Sequence, residues 1–364
     1  MRRGDCGTHS TSGILAGVSR IAVVTSHPLF ASGGHLVIAR ALVKALSEFG
    51  HESTLLLTPQ NRFGRQGAAY LSTWLTDVSQ AHDGGKIDQV ISLRFPSYAV
   101  RHDRHVCWIN HRMREYYDQW PSFSQSLSWP ARIKEGMRRG LIHAVDRHLL
   151  TDCVTRLYAQ STTIQTRLAK WGRISADVIY PPPPSRPYRC DRYGDYLLVL
   201  SRLTALKRIS LVLDALRQPK LDSVRCVIVG DGEERETIAS LIHEYNLSGR
   251  VILVGQVSES DLVSYLAGCR AVCFPAAQED YGLVTVEAFA SSKAVITCSD
   301  SGGPAELVID GTNGFVVPPG AETLAAAIAE FMEDEALAEQ FGSAANRQVQ
   351  LMTWEKVIGQ LLLV

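Results

Sequence analysis

The sequence predicts an α/β protein made of two doubly wound, Rossmann-like domains, and three observations lead to this prediction. The chain has 364 residues, more than one hydrophobic core usually serves. In both halves, apolar runs of strand length alternate with segments of helical periodicity. A proline run at residues 180–184 separates the two alternations.

The first alternation opens at residues 20–25, a continuous apolar run typical of a parallel strand buried on both faces. After a turn at residues 32–34, apolar positions repeat at helical spacing over residues 37–46. A second strand is predicted at residues 52–58. Such a βαβ unit is right-handed and leads to a sheet with helices on both faces. Further strands are expected at residues 89–93, 105–109 and 156–159.

The proline run lacks the backbone donors that an interior strand or helix needs, so it is interpreted as an interdomain linker. The second alternation starts with a strand at residues 196–200 and a helix at residues 209–216. Further strands are expected at residues 225–229, 251–254, 271–274 and 294–297. The predicted boundaries are an extension at 1–19, an amino-terminal domain at 20–187, a carboxyl-terminal domain at 188–345 and a final helical segment at 346–364.

Composition favours a soluble globular protein, with 46% hydrophobic and 20% charged residues. No apolar run approaches the roughly 20 residues of a membrane-spanning helix. Residues 1–19 lack a secretory core and are interpreted as a disordered extension. Of eight cysteines only Cys269 and Cys273 are close in sequence, with no second pair, so free thiols are favoured over a zinc site.

The zero net charge conceals an asymmetry between the two halves. Residues 1–187 carry 23 lysines and arginines against 13 aspartates and glutamates, and the remainder carries 14 against 24. The balances are therefore +10 and −10. In one interpretation, the positive half faces an anionic acceptor or a membrane surface. In the other, the two domains simply attract each other through their opposite charges. Both interpretations stay open.

Two motifs in the second half place polar groups at the carboxyl edge of the predicted sheet. Arg202 and Lys207 follow the strand at residues 196–200, and two cations there suit a diphosphate. Gly230 lies in a Gly-Asp-Gly turn after the next strand, where backbone amides could approach a ligand or a structural turn could form. The incomplete glycine pattern argues against a nicotinamide fingerprint.

The most specific segment is residues 274–289, in which Glu279 is expected in a loop and Glu287 in the helix that follows. Gly282 allows a tight turn before that helix. The amides of Leu283 and Val284 at the helix start would favour a phosphate group. A carboxylate on each side could bind sugar and ribose hydroxyls.

These motifs resemble those of the family-four retaining glycosyltransferases, also called glycosyl transferases group 1. That family has the GT-B architecture, in which two Rossmann-like domains face each other across a cleft. The resemblance extends from about residue 20 to the end of the chain. Ser201 and Tyr281 depart from the family's usual Gly and Phe without removing a charged contact. The matching motifs lie at residues 201–207, 230–233, 274–289, 301–306 and 313–314.

The resemblance implies a role for several single residues. Arg202 and Lys207 would hold the donor diphosphate, Glu287 the ribose, and Glu279 the hydroxyls of the transferred sugar. His111 would be the amino-domain histidine near the reacting sugar. The amino-domain loop beside the donor phosphates would contain Gly33 and Gly34.

The resemblance also implies the reaction, which is transfer of a sugar from a UDP-, GDP- or dTDP-sugar to a hydroxyl of an acceptor molecule. The amino-terminal domain would bind this acceptor. The anomeric configuration would be retained, and cations with helix-start amides would stabilise the leaving diphosphate without a metal. We expect no cofactor, no metal and no nucleic-acid partner. The final helix would cross back to the amino-terminal domain. A cytoplasmic location is expected, with peripheral contact at the inner face of the membrane left open.

Three alternatives remain at this point. The two glutamates could serve hydrolysis, but glycosidases need a pair that flanks the bond. An epimerase of nucleotide sugars and a non-catalytic nucleotide-sugar binding protein would use similar donor contacts. The donor base, the sugar, the acceptor and the oligomeric state are not determined by the sequence.

Overall fold

The computed structural model of the protein describes residues 18–28, 33–60 and 63–363. The predicted extension at residues 1–19 lies outside this part of the chain except for its last two residues. A parallel six-stranded sheet, with the order β2-β1-β3-β4-β5-β6, forms the first half. Its strands are β1 (Arg20–His27), β2 (Glu52–Pro59), β3 (Gln89–Ser92), β4 (His105–Ile109), β5 (Arg156–Ala159) and β6 (Asp177–Val178).

A second parallel six-stranded sheet, with the order β9-β8-β7-β10-β11-β12, forms the other half. The prediction of two doubly wound sheets is therefore confirmed. The strands are β7 (Tyr196–Leu200), β8 (Arg225–Val229), β9 (Val251–Gly255), β10 (Ala271–Cys273), β11 (Val295–Cys298) and β12 (Gly314–Val317).

Helices connect the strands, as the right-handed crossovers of parallel sheets require. Those of the first half are α1 (Gly34–Glu48), α2 (Gln66–Trp74), α3 (Trp120–Gln125), α4 (Trp129–His148) and α5 (Thr162–Gly172). Those that follow are α6 (Ile209–Leu216), α7 (Arg235–Glu244), α8 (Glu259–Gly268), α9 (Leu283–Ala290), α10 (Gly303–Leu307), α11 (Ala321–Glu333), α12 (Glu335–Val349) and α13 (Trp354–Leu361).

The continuous apolar character of the strands has a direct cause in the packing of β7. Leu197 and Val199 join a buried cluster with α6 and α11, whereas Leu198 and Leu200 join another with α8 and α9. Both faces of the sheet are covered, so both sets of alternating side chains must be apolar.

The chain returns to the first half at its end. The indole of Trp354 in α13 donates a hydrogen bond to Pro183 O over 3.2 Å and packs edge-on against Trp108 of β4. The Gln89 side chain donates to Leu361 O over 2.7 Å. Helix α13 is thus held against the first sheet. Within the described residues, every helix is too short or too polar to cross a membrane.

Each sheet has one point at which the strand order reverses, between β1 and β3 in the first and between β7 and β10 in the second. Doubly wound sheets bind ligands beyond the carboxyl ends of the strands at such points. The fold therefore brings the segments after these four strands to the cleft.

Candidate functional site

A cavity of about 230 Å³ lies in the cleft at the carboxyl ends of the switch-point strands. Segments after β1, β3 and β4 form its amino-terminal wall, and segments after β7 and β10 form its carboxyl-terminal wall. Seven residues predicted from the sequence line it, namely Gly33, Gly34, His111, Arg202, Glu279, Gly282 and Leu283. Four others do not line it directly, namely Lys207, Gly230, Val284 and Glu287.

Arg202 is positioned by two loops that approach each other closely. The amide of Leu203 donates to Asp231 O over 3.0 Å. A Cβ atom at Gly230 would lie 1.8 Å from Ser201 O, at a positive φ of 134°, so only glycine fits there. Gly230 therefore allows its loop to pack directly against the backbone of the Arg202 loop. Arg202 is exposed and lines the cavity.

Lys207 lies beside the cavity in an ion pair with Glu279. Its Nζ is 5.0 Å from the centroid of the Phe274 ring, and only 12% of the side chain is exposed. The ammonium is therefore partly desolvated, which strengthens its attraction for the carboxylate. Lys207 fixes the carboxylate of Glu279, which lines the cavity.

The backbone of Glu279 is held by the Ser-Gly-Gly segment that the sequence analysis singled out. The Glu279 amide donates to Ser301 O over 2.8 Å, and the Gly303 amide donates to Glu279 O over 3.1 Å. A Cβ atom at Gly302 would lie 2.5 Å from Glu279 O. The two glycines therefore allow the close approach that places Glu279.

Helix α9 begins at the cavity after a left-handed turn. Gly282 has a φ of 81°, and a Cβ atom there would lie 2.5 Å from Pro304 Cγ. Leu283 and Val284 are the first residues of the helix, where backbone amides lack intrahelical acceptors. The positive end of the α9 dipole therefore lies at the cavity wall and can bind an anion.

Glu287 lies one turn further along α9 and is almost completely buried, with 4% of its surface exposed. Its Oε1 pairs with the Arg186 guanidinium and accepts a hydrogen bond from the Tyr188 hydroxyl over 3.2 Å. Burial raises the pKa of Glu287, and Arg186 opposes this effect. Because Glu287 is four residues after Leu283, the two side chains lie on the same face of the helix.

In the amino-terminal wall, Gly33 and Gly34 precede and begin α1. Gly33 has an extended backbone with a φ of −174°, which any residue can adopt. A Cβ atom at Gly34 would lie 3.9 Å from the Leu283 side chain across the cleft, an ordinary contact distance. Their small size thus keeps this part of the cleft open.

His111 is half-buried after β4. Its Nδ1 lies 2.7 Å from Arg112 O, and because a carbonyl can only accept, Nδ1 carries the proton. Burial, with Arg94 nearby, lowers the pKa of His111 well below its ordinary value. The ring is therefore neutral at physiological pH, with Nε2 able to accept a hydrogen bond.

Arg94 is a residue of this wall that the sequence analysis missed. It follows β3 and is only 6% exposed, yet its guanidinium makes no hydrogen bond or ion pair with any residue that the structure describes. Burial lowers its pKa to about 10, and the negative charge of Asp280 opposes this effect. Leaving a buried cation unpaired is costly, so this group is suited to an anionic ligand.

Two further polar groups of the wall were missed. Burial and the positive charge of Arg94 lower the pKa of His35 to about 3, and its Nε2 has no partner among the described residues. Oδ1 of Asn110 is likewise buried without a hydrogen-bond partner among the described residues. The signal was the position of Arg94 and Asn110 directly after predicted strands, the rule that had identified Arg202.

Ionic contacts cross the cleft next to the cavity. Asp280 pairs with Arg167 of α5 and lies 3.4 Å from Arg114. Glu306 accepts hydrogen bonds from the amides of Thr162 and Thr163, the first residues of α5. The carboxyl-terminal half thus caps a helix of the amino-terminal half.

In the described part of the chain, no group of three His, Cys, Asp or Glu side chains could hold a metal ion. The polar groups that line the cavity are two arginines, two imidazoles, the Asn110 amide, the paired carboxylates of Glu279 and Asp280, and helix-start amides. Such an arrangement suits a ligand that combines negative charge with hydroxyl groups.

Comparison with known proteins gives a match for the carboxyl-terminal half. Residues 191–348 match the family described as Glycosyl transferases group 1. The chain is 31% identical over 182 residues to phosphatidyl-myo-inositol mannosyltransferase of Mycolicibacterium smegmatis, an alignment over 48% of this chain and 45% of that protein. The chain covers less than half the length of the curated relatives it matches.

Solved structures match over nearly the whole chain. Sucrose-phosphate synthase of Thermosynechococcus elongatus aligns with a TM-score of 0.76 at 19% identity, over 94% of this chain and 98% of that one. HepE of Anabaena in complex with UDP and glucose aligns with a TM-score of 0.68 at 19% identity, over 93% and 98%. The predicted GT-B fold is thereby confirmed, and residues 191–348 match a glycosyl transferases group 1 domain within it.

Proposed function

We propose that the protein is a glycosyltransferase that moves a hexosyl group from a UDP-, GDP- or dTDP-sugar to an acceptor hydroxyl. The observation that carries this proposal is the cavity itself. It combines Arg94 and Arg202, two cations without an ion-pair partner among the described residues, with the start of α9 and with hydroxyl-binding groups such as Glu279. A nucleotide diphosphate sugar supplies the matching negative charge and hydroxyls.

In this proposal the diphosphate lies between Arg202, Arg94 and the amides of Leu283 and Val284. Arginine binds phosphate oxygens with two parallel hydrogen bonds, and helix-start amides add further donors. Negative charge grows on the diphosphate as the glycosidic bond breaks, so donors that are already oriented stabilise the transition state. Glu287, on the same face of α9 as Leu283, would meet the ribose beyond the cavity.

The sugar would lie between Glu279 and His111. The Glu279 carboxylate, held by Lys207, accepts hydrogen bonds from sugar hydroxyls. Neutral His111 accepts another at Nε2, since its Nδ1 proton is engaged by Arg112 O. Two acceptors on opposite walls fix the orientation of the ring relative to the diphosphate.

We further propose retention of anomeric configuration, independence from metal ions and membership of family four. The bond between the anomeric carbon and the phosphate oxygen breaks, the acceptor oxygen bonds to that carbon on the same face, and the acceptor proton passes to the departing phosphate. The names of similar proteins support transfer of a hexosyl group from a nucleotide sugar. One relative is a mannosyltransferase, and HepE was solved with UDP and glucose. The acceptor identity stays open.

The proposal is tested first by thermal melting in the presence of UDP, GDP and dTDP. One nucleotide is expected to raise the melting temperature, because a ligand that binds only the native state stabilises it. Arg202→Gln is expected to abolish this shift, whereas Arg217→Gln, an exposed arginine at the end of α6, should preserve it. Equal shifts in both variants would contradict the assignment of Arg202.

The preferred nucleotide is then supplied as its sugar conjugates with a panel of acceptors. Nucleoside diphosphate release and glycoside formation are expected only when the acceptor is present. Both should continue when EDTA is added. NMR of the anomeric proton should show the donor's configuration. Inverted product would refute retention, and loss of turnover in EDTA would refute metal independence.

A further inference from the structure

Helix α4 exposes a row of large apolar side chains to solvent. Trp129, Ile133, Met137 and Leu141 are 76%, 45%, 68% and 66% exposed. Because they are spaced by four residues, they form one continuous stripe along the helix. The first of them is a tryptophan, which is enriched at the interface between lipid and water.

The stripe does not result from poor packing of the helix. Glu135, Ile142 and Asp146 are buried on the other side of α4. Glu135 accepts a hydrogen bond from the Tyr116 hydroxyl over 2.6 Å, and Asp146 accepts one from the Tyr117 hydroxyl over 2.7 Å. At about 100° of rotation per residue, this buried face lies roughly opposite the stripe. The helix is therefore anchored by its polar side and displays its apolar side.

The charges on α4 are sorted in the same way. Both of its carboxylates, Glu135 and Asp146, point inward, whereas Arg132, Lys134 and Arg147 are exposed. Arg132 and Lys134 lie at the two edges of the apolar stripe. The outward surface of the helix thus combines apolar side chains with positive charges and contains no negative charge of its own.

This surface continues toward the cleft. Arg147, Lys170, Trp171 and Arg173 line a recess of about 450 Å³ at the end of α4. Lys170 and Trp171 also line a second recess of about 420 Å³, which includes Gln278 of the opposite half. The two recesses therefore connect the exposed face of α4 to the mouth of the cleft, with basic walls next to α4 and walls of mixed charge, including Asp118 and Glu306, next to the cleft.

We propose that the exposed face of α4 docks on the surface of an anionic lipid bilayer. An interfacial helix places apolar side chains among the acyl chains and basic residues at the level of the headgroups, as the stripe and its edges would do here. A second copy of this chain fits less well. Symmetric pairing would oppose Arg132 and Lys134 to the same cations of the other copy.

The test is co-sedimentation of the protein with vesicles of phosphatidylcholine alone or mixed with phosphatidylglycerol. Binding is expected only to the anionic vesicles and should weaken as salt is raised. Met137→Gln with Leu141→Gln should lower the partition coefficient about tenfold or more, because two apolar side chains no longer enter the bilayer. The matched control, Ile252→Gln with Leu351→Gln, changes two exposed apolar residues elsewhere and should bind like the unmodified protein.

The charge contribution is tested separately with Arg132→Gln and Lys134→Gln, each expected to weaken binding by roughly fivefold. The exposed Lys220→Gln is the control. Equal binding of all variants, or no binding to anionic vesicles, would overturn the proposal. So would a dimer in light scattering that the α4 variants dissociate. Sedimentation needs no turnover, and nucleotide-induced melting shifts of the same variants show separately whether the proposed donor site is intact.

Discussion

The two walls of the cleft cavity differ in how their buried charges are satisfied. In the carboxyl-terminal wall the charges are paired, Lys207 with Glu279 and Glu287 with Arg186. In the amino-terminal wall Arg94 is buried without a hydrogen bond or ion pair to its guanidinium from the part of the chain that the structure describes, and His111 is kept neutral by burial and nearby cations. The buried charges of the carboxyl-terminal wall are therefore already paired, with only exposed Arg202 left for a ligand, whereas the amino-terminal wall contains a buried cation that an anionic ligand would pair.

The largest expected effect comes from breaking a pair in the carboxyl-terminal wall. Lys207→Gln should lower kcat/KM by about a hundredfold or more, because it removes a preoriented cation and frees Glu279. Steady-state transfer kinetics measure this. Arg208→Gln alters the adjacent residue, which pairs with Asp300 over 2.6 Å, and should change kcat/KM only a fewfold. Similar losses in both variants would mean that the general charge of the segment matters, not the Glu279 pair.

A smaller effect with an unusual sign is expected in the amino-terminal wall. Arg94→Met should raise the free energy of unfolding of the ligand-free protein by about 1–2 kcal/mol, since it removes an unpaired buried charge. The same variant should bind nucleotide about tenfold more weakly. Urea unfolding and nucleotide titration measure the two quantities.

Arg250→Met provides the contrast, because Arg250 donates to Leu221 O over 2.7 Å and to Val224 O over 3.2 Å. This substitution should destabilise the protein, because it removes both hydrogen bonds and leaves Leu221 O with the Val224 amide alone. A loss of stability in Arg94→Met as large as in Arg250→Met would show that Arg94 already has stabilising partners in the ligand-free protein.

The smallest effect concerns acid. His105 is fully buried in β4, and burial lowers its pKa to about 4. Between pH 6.5 and about 4 the unfolded chain binds a proton that the folded protein does not, so stability falls as pH falls, by about 1.4 kcal/mol per pH unit. His105→Gln should lose less stability between pH 7.5 and 5.5 in urea unfolding, whereas the exposed His148→Gln should behave like the unmodified protein. An unchanged decline in His105→Gln would remove His105 as its source.

The difference between the walls also explains what could be predicted from the sequence. The sheets were predictable because both faces of their central strands are buried, which leaves continuous apolar runs such as residues 196–200. The glycine loops around Arg202 and Glu279 were predictable because each is a local motif. Two strands were not predicted, β6, which has only two residues, and β12.

The position of Arg94 directly after a predicted strand was a signal that the sequence analysis did not use, but its missing partner could not be predicted, because that is a property of the folded surroundings. An arginine after a strand is ordinarily paired or solvated. The same limit applies to Glu287, whose partner Arg186 lies 101 residues earlier in the chain. Tertiary contacts of this kind leave no pattern in the local sequence.

Because Glu306 caps α5 from the other half of the molecule, hydrogen exchange at the start of α5 can report on separation of the two halves in solution. The amides of Thr162 and Thr163 have their acceptor in the other half of the molecule, more than 140 residues away in the chain. They can exchange with deuterium only when the two halves separate or the first turn of α5 frays. These two protons are therefore natural probes of the free energy of opening, and their protection should rise when a bound molecule keeps the halves together.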